Sequence, residues 1–196
     1  MTERSPYCHV SWRTIAAIGS VESLHGEFGD GRLDLDGRPG DPFIGISLNG
    51  QTVDNYGHTT AYLTDTDDGR YDDDPNFDRA VGPMQFIPET WESWQIDADE
   101  DGDRDPQDID DAALTAAAYL CNYGSQRHWD NWWVAVFGYN HAGAYVNSVK
   151  AALDRNQRLR LPELEGDDEL RQHIPYGVWI PLPEELPEEP VTEDEE

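Results

Sequence analysis

The chain has 196 residues, a formal net charge of -28 and two cysteines, and aromatic residues make up 11% of it. This length is sufficient for one domain with a hydrophobic core. The strong negative charge argues against binding to nucleic acid or to an anionic membrane through electrostatics. No run of about 18 apolar residues is present, so no membrane span is predicted. The first residues also lack the apolar segment of a signal peptide.

The first predicted element is a helix with Ser11 as its N-cap and Gly26 as its stop. Apolar residues repeat at helical spacing along one side, and Glu22 continues this stripe where a Leu would be expected. A carboxylate there loses water and lies near the negative end of the helix dipole, and both effects raise its pKa. Glu22 would then hold a proton near neutral pH, as a general acid must. On periodicity alone, the more ordinary interpretation is a Glu that bends outward to solvent at a frayed helix end.

A long segment rich in Gly and Asp follows over residues 27–78. Its short apolar pieces predict either brief strands or a cover for the core. A connection of this length in a compact domain is usually functional or disordered. Because the segment carries apolar anchors, we expect it to form a cleft wall. Its acidic run, residues 65–78, is interpreted as a solvated loop in preference to a second metal site.

The next motif is a turn followed by a helix. Gly82 and Pro83 predict the turn, and Pro88 predicts the first turn of the helix. Gln85 lies between two apolar residues, so its amide is expected to point inward and to need hydrogen-bond partners. A substrate hydroxyl or acetamido group would supply them, and nearby backbone is the alternative.

Residues 97–102 match the first half of an EF-hand calcium loop. Alternate carboxylates converge on one point, and a glycine in sixth place permits a sharp turn. These residues are Asp97, Asp99, Asp101 and Gly102. Asp103 would contribute its backbone carbonyl, and the closing carboxylate is either Asp108 in twelfth place or Asp111 in a loop of fifteen. Calcium is predicted in preference to Mg²⁺, which tends to keep its waters.

The remaining elements are predicted to be helical. Residues 112–123 favour a helix by propensity, and Gly124 ends it. Residues 131–153 are the most apolar part of the chain and predict a helix, a break at 140–143 and a second helix. We expect one domain over residues 1–160.

The C-terminal part is predicted to consist of two further pieces. Residues 161–182 are expected to form an extension that packs on the domain. Residues 183–196 have too little apolar content to fold and are expected to form a disordered acidic tail.

Four motifs, in this order, resemble the lytic murein transglycosylase B family (glycoside hydrolase family 103), especially its secreted actinobacterial-type members. The motifs are residues 15–26, 79–88, 97–121 and 139–141. The resemblance covers about residues 8–150. It implies a mainly helical, lysozyme-like fold with an EF-hand-like calcium loop and a long irregular cleft segment. It also implies cleavage of the MurNAc–GlcNAc β-1,4 bond of peptidoglycan.

The resemblance assigns roles to individual residues. Glu22 matches the catalytic acid/base, which reverses the preference left by periodicity. Matching positions that bind the glycan or support this Glu are Gln85, Tyr119, Tyr139, Asn140 and Tyr145. The matching calcium positions are Asp97, Asp99, Asp101, Asp103 (through its backbone) and Asp111, which favours the loop of fifteen. Asn76 lies near the place where other members have a Ser beside the catalytic Glu. The resemblance also leaves part of the family's usual cleft wall and its export signal unaccounted for.

The two cysteines carry a further expectation. By count alone, Cys8 and Cys121 are either paired or two free buried thiols. They match a cysteine pair of secreted relatives, so the resemblance implies a disulfide and an extracellular or cell-envelope location.

One embedded carboxylate without an obvious partner favours a single-acid route over the two-carboxylate mechanism of most glycosidases. The expected product is a 1,6-anhydro-MurNAc end, the expected partner is the peptidoglycan glycan strand, and the expected state is a monomer with structural calcium and no organic cofactor. The alternatives are a hydrolytic muramidase on the same fold and a catalytically silent peptidoglycan- or calcium-binding module.

Overall fold

A computed structural model describes residues 8–27, 32–51 and 59–156 of the chain. Within these residues, the regular elements are helices and no extended strand is present, so the predicted mainly helical class is confirmed. The helices are α1 (Trp12–Ser23), α2 (Pro88–Trp94), α3 (Ile109–Cys121), α4 (Trp129–Tyr139) and α5 (Gly143–Asn156). None of them is long and apolar enough to cross a membrane.

Helix α1 begins where the sequence predicts and ends earlier than predicted. The Ser11 hydroxyl oxygen accepts from the backbone N–H of Arg13 at 3.2 Å, as expected of an N-cap. At the other end, Ser23 Oγ accepts from the Gly26 N–H at 2.7 Å and donates to the Pro83 carbonyl oxygen at 2.6 Å. Helix α1 ends at Ser23 because Leu24 is its C-cap in the left-handed conformation, with a φ of 53°, so Gly26 is not its cap.

The later helices follow the predicted order, and each of the last three begins one to three residues earlier than predicted. Asp108 accepts from the backbone N–H of Asp110 at 2.8 Å and caps α3, which therefore begins at Ile109 instead of residue 112. The predicted break at 140–143 is confirmed, since α4 ends at Tyr139 and α5 begins at Gly143.

The core lies between the helices, with α1 packed on both α5 and α3, and α3 also in contact with α2 and α4. Trp91 of α2 is fully buried, and the indole N–H of Trp132 in α4 donates to Thr14 of α1 at 3.1 Å. Small residues on α3, such as the fully buried Ala112 and Ala116, permit this close helix packing.

The segment between α1 and α2 folds as an irregular ribbon in place of regular strands. We use this name for residues 32–51 and 59–82. Isolated antiparallel bridges hold it together, and they join Ile44 to Val81, Asn49 to Tyr62 and Thr64 to Phe77. Gly82, at the end of the ribbon, has a φ of +73°, and a Cβ there would collide with the Pro106 carbonyl oxygen. The ribbon therefore lies directly against the loop that leads into α3.

The acidic run at 65–78 is only in part the solvated loop that its composition predicts: Asp68 and Asp73 are exposed, but two other carboxylates are buried. Asp72 and Asp78 are only 2% and 1% exposed. Asp78 accepts from the Thr66 backbone N–H at 2.9 Å, and Asp72 accepts from the Arg79 backbone N–H at 2.6 Å. Both carboxylates can be buried because backbone N–H groups of the ribbon's turns donate hydrogen bonds to them.

Cys8 and Cys121 form a disulfide that joins residues 113 apart in sequence. It ties the residues before α1 to the last residue of α3. The expected C-terminal extension and tail, residues 161–182 and 183–196, lie outside the described residues.

Candidate active site and metal centre

The candidate active site is built where the end of α1 meets the start of α5. Glu22 lies in the last turn of α1, and Tyr145 lies in the first turn of α5. The Tyr145 hydroxyl donates to Glu22 Oε1 at 2.5 Å across 123 residues of sequence. Tyr145 itself is only 8% exposed, so this donor is held in place by packing.

Glu22 is half-buried as a residue, and its carboxyl group has lost most of its water. Burial raises the pKa of Glu22 from 4.5 to about 7, while the hydrogen bond from Tyr145 opposes this rise. A carboxyl group with a pKa near neutrality can both donate and accept a proton at physiological pH.

Tyr139, at the end of α4, connects this pair to the loop after the ribbon. Its ring lies parallel to that of Tyr145 at 6.5 Å between centroids, with an interplanar angle of 2°. Its hydroxyl donates to the Met84 carbonyl oxygen at 2.8 Å. Burial, together with the nearby Glu22, raises the pKa of Tyr139 well above its usual value, so its hydroxyl stays protonated.

Tyr119 of α3 supports Tyr139 from behind. The two rings meet edge to face at 5.7 Å. The Tyr119 hydroxyl donates to the Gly138 carbonyl oxygen at 3.1 Å and lies 3.2 Å from the Tyr123 hydroxyl. Tyr119 therefore acts within a packed tyrosine cluster (Tyr119, Tyr123, Tyr139 and Tyr145) that fixes the end of α4 and, through Tyr145, the acid.

Gln85 lies in the loop that contains Pro83. This loop contacts Ser23, the residue that follows Glu22 in sequence. Its backbone has a positive φ of 50°, which is uncommon for a residue other than glycine. Its side-chain nitrogen donates to the Gly82 carbonyl oxygen at 3.0 Å, so nearby backbone satisfies the donor end of the amide. The acceptor end points toward Gly45, where a Cβ would lie 2.9 Å from Gln85 Oε1.

Two further predicted residues lie at the surface. Asn140 is exposed at the C-cap of α4, immediately after Tyr139. Asn76 is exposed in the ribbon, in a cavity of about 480 Å³ that Ile46, Phe77 and Arg79 also line. Asn76 therefore lies in the ribbon. Gln85 lies in the loop that contacts Ser23, and the tyrosine cluster lies on the helices next to Glu22.

The structure brings three of the predicted metal-binding residues together. One carboxylate oxygen from each of Asp97, Asp99 and Asp111 lies within 4.8 Å of the other two, so the cluster can hold a metal ion. Asp97 Oδ2 accepts from the Gly102 N–H at 3.1 Å, which closes the first turn of the loop. Asp97 Oδ1 is buried and has no hydrogen-bond partner, as expected of an oxygen reserved for a cation. An all-oxygen donor set of this kind fits calcium.

The other predicted ligands are not part of this side-chain cluster. Asp101 Oδ2 lies 2.6 Å from a guanidinium nitrogen of Arg38, outside the cluster. Asp103 donates its backbone N–H to Asp101 Oδ1 at 2.8 Å. Asp108 is the N-cap of α3, and the cluster contains Asp111 in its place.

A second acidic cluster lies in the ribbon, where Asp65, Asp67 and Asp78 also bring their oxygens within 4.8 Å of one another. Each of these side chains accepts hydrogen bonds from the turns around it, such as that from the Tyr71 N–H to Asp67 at 2.7 Å. This second cluster lies within the acidic run at 65–78, for which the sequence favoured a solvated loop over a second metal site.

Sequence reasoning missed two residues that position these sites. Ser23 joins the end of α1 to the Pro83 loop. Its position directly after the embedded Glu22 is the one feature of the sequence that could have indicated this role. Arg38 pairs with Asp101 of the 97–111 loop. The sequence gives one indication of this, since Arg38 is the only basic residue among the Asp residues of the 34–41 segment.

A family model described as "Transglycosylase SLT domain" matches residues 77–178. The match contains Gln85, the tyrosine cluster and the 97–111 loop, and it begins after Glu22. No curated protein and no solved structure matches the chain. Because the family match spans just over half of the chain, the protein belongs to the transglycosylase SLT domain family, with its lysozyme-like helical fold and its peptidoglycan lytic transglycosylase-type activity.

Proposed function

We propose that the protein is a lytic transglycosylase that cleaves the MurNAc–GlcNAc β-1,4 bond of peptidoglycan and leaves 1,6-anhydro-MurNAc ends. The observation that carries the proposal is the Glu22 carboxyl group, whose pKa is raised to about 7 and which accepts a hydrogen bond from Tyr145 at 2.5 Å. A membership of the B-type subfamily (glycoside hydrolase family 103) is part of the same proposal.

Glu22 acts first as an acid and then as a base. It donates its proton to the glycosidic oxygen while the bond from C1 of MurNAc to that oxygen breaks. The MurNAc acetamido oxygen stabilises the cationic C1. The Glu22 carboxylate then takes the proton of the C6 hydroxyl while O6 bonds to C1, which closes the anhydro ring and restores the protonated acid. No water is consumed.

Among the described residues, Glu22 belongs to neither acidic cluster, which supports a route with one acid. Its partner is a tyrosine and not a second carboxylate, and the two described acidic clusters lie on the 97–111 loop and in the ribbon. Two-carboxylate glycosidases need the second group across the scissile bond. Tyr145 orients the carboxyl group and stabilises it while it is ionised between the two proton transfers.

The other predicted site residues are assigned to glycan binding or to support. Gln85 offers its amide oxygen, Asn140 its exposed amide and Asn76 a position on the ribbon wall. Tyr119 and Tyr139 hold the loop and the end of α4 that flank Glu22.

Calcium is proposed as a structural ion held by Asp97, Asp99 and Asp111. When bound, it would neutralise these carboxylates and fix the loop that joins α2 to α3. A peptidoglycan substrate and the disulfide also support an extracellular or cell-envelope location for a monomeric enzyme.

The test is digestion of purified sacculi followed by mass spectrometry of the muropeptides. We expect the wild type to release anhydro ends and Glu22→Gln to be slower by roughly 10²–10⁴-fold, since it loses the proton-transfer group. Glu89→Gln, at an exposed Glu in the first turn of α2, is the matched control and should keep wild-type activity.

Each contrary outcome has its own meaning. Products heavier by one water, with reducing ends, would show a hydrolytic muramidase. Binding to sacculi without turnover by the wild type would show a silent binding module. Near-normal activity of Glu22→Gln would remove Glu22 from the mechanism.

A further inference from the structure

Arg38 lies on a tight turn that is fixed against the first residue of α3. The Arg38 N–H donates to Asp34 Oδ1 at 2.9 Å, and its carbonyl oxygen accepts from the Asp34 N–H at 2.8 Å. The Gly37 carbonyl oxygen accepts from the Ile109 N–H at 3.1 Å. A Cβ at Gly37 would lie only 2.7 Å from Ile109 Cγ2, so the turn and the helix start are in close contact.

From this turn, the guanidinium group of Arg38 reaches three carboxylates of the 97–111 loop. One terminal nitrogen lies 2.6 Å from Asp101 Oδ2. Nε lies 3.1 Å from Asp108 Oδ2 and 3.9 Å from Asp105 Oδ2. The loop that is proposed to bind calcium therefore already carries one cation of the protein's own.

Asp101 is the carboxylate for which the two cations compete. In the alternate spacing of the loop it stands in the third ligand position, after Asp97 and Asp99. Its Oδ2 is paired with Arg38, and its Oδ1 accepts from the Asp103 N–H at 2.8 Å. Asp101 is consequently outside the cluster formed by Asp97, Asp99 and Asp111.

We propose that Arg38 is an internal competitor of calcium, which withholds Asp101 from the metal and so sets the affinity of the loop. The proposal rests on calcium binding by this loop. A guanidinium group keeps its charge at every accessible pH, so deprotonation cannot end the competition. The side chains of Arg38 and Asp101 are 37% and 35% exposed, and ion pairs that are partly open to solvent contribute little free energy. A bound divalent cation can therefore draw Asp101 away from Arg38.

The test is isothermal titration calorimetry of the full chain with CaCl₂ after removal of metal with EGTA. We expect Arg38→Gln to bind calcium roughly threefold to fivefold more tightly than the wild type, because it releases Asp101 as a ligand from an ion pair that is partly open to solvent. Arg38→Lys keeps the charge without the planar fork and should fall between the two. Arg155→Gln, in the last turn of α5, makes the same change of net charge and should match the wild type.

A double-variant comparison isolates the competition for Asp101. In an Asp101→Asn background, we expect the gain from Arg38→Gln to shrink to a small fraction of its value in the wild-type background. A gain of equal size in both backgrounds would overturn the proposal, because it would reflect general electrostatics alone. Equal affinity of the wild type and Arg38→Gln would also overturn it.

Failure of the underlying calcium assignment gives a different result. If neither the wild type nor Arg38→Gln binds calcium, both the calcium assignment and the Arg38 proposal are wrong. Thermal melting in EGTA establishes that each variant is folded. Calorimetry makes no use of glycan cleavage, so the enzymatic assignment of Glu22 stands or falls separately.

Discussion

Two opposing influences set the proton affinity of Glu22. Loss of water raises its pKa, because burial penalises the charged carboxylate, and the Tyr145 hydroxyl lowers it, because the hydrogen bond favours that charged form. The balance lies at about 7. An acid with this balance is protonated below neutrality and yet can be ionised during turnover without a large penalty.

Tyr145→Phe removes only the opposing influence. We expect the pKa of Glu22 to rise, so the alkaline limb of the pH profile of kcat/KM moves to higher pH, while kcat falls because the carboxyl group loses its orienting partner. The sign follows from the reaction: the acid must be protonated, so activity declines as pH rises through its pKa. The measurement is the initial rate of glycan cleavage across pH.

Tyr123→Phe is the matched control for this prediction. Its hydroxyl contacts Tyr119 and not Glu22, so the same loss of oxygen should leave the pH profile in place. An alkaline limb of Tyr145→Phe that stays fixed or moves to lower pH would contradict the role given to this hydrogen bond.

At the scale of elements, the loop from α2 to α3 brings several negative charges close together. It gathers Asp97, Asp99 and Asp111 with few compensating cations, and burial raises the pKa of Asp111. A bound divalent cation would relieve this repulsion and stabilise the native state by mass action.

Calcium is therefore expected to raise the melting temperature of the metal-free protein. At a free concentration of about 100 times Kd, the gain of roughly 2.7 kcal/mol corresponds to about 5–10 °C for a protein of this size. The measurement is thermal unfolding in EGTA and in calcium. Asp97→Asn should abolish the rise, whereas Asp67→Asn, in the ribbon cluster, should keep it. The same rise in Asp97→Asn would place the ion elsewhere.

Elements determined by nearby residues were predictable from the sequence. The Ser11 cap, the helix start at Pro88 and the break between α4 and α5 depend on a few adjacent residues, and the sequence patterns located all three. The sequence also indicated Glu22, because this carboxylate occupies a position of the apolar stripe where a Leu would be expected. Its partner Tyr145 emerged only through the family resemblance.

Features that depend on distant contacts were not predictable. The hydrogen bond that joins the end of α1 to the next loop runs from Ser23 to Pro83, 60 residues away. The pairing of Arg38 with Asp101 spans 63 residues. Composition also placed Asp78 in solvent, since it carries no information about the turns that bury this carboxylate. In each case, the side chain meets a partner that only the completed fold brings near.

For the whole molecule, the disulfide is the longest covalent constraint. Cys8 and Cys121 close a loop of 113 residues, and a crosslink over such a distance removes much of the freedom of the unfolded chain. It also acts within a molecule of net charge -28, whose self-repulsion favours expansion.

The double variant Cys8→Ala/Cys121→Ala is expected to lower the free energy of unfolding by about 2–5 kcal/mol. Urea denaturation followed by tryptophan fluorescence measures it, and the wild type unfolded under reducing conditions should show the same loss. An unchanged free energy of unfolding in both experiments would show that the crosslink adds nothing to stability.

The distance in sequence between Glu22 and Tyr145 has a consequence for biosynthesis. The acid is translated early and the hydroxyl that orients it 123 residues later, in the last described helix. A ribosome-bound chain that has emerged only as far as α4 holds Glu22 without this partner. If Glu22 acts as proposed, a chain that stops before α5 would lack the group that orients it and should cleave glycan more slowly than the full chain.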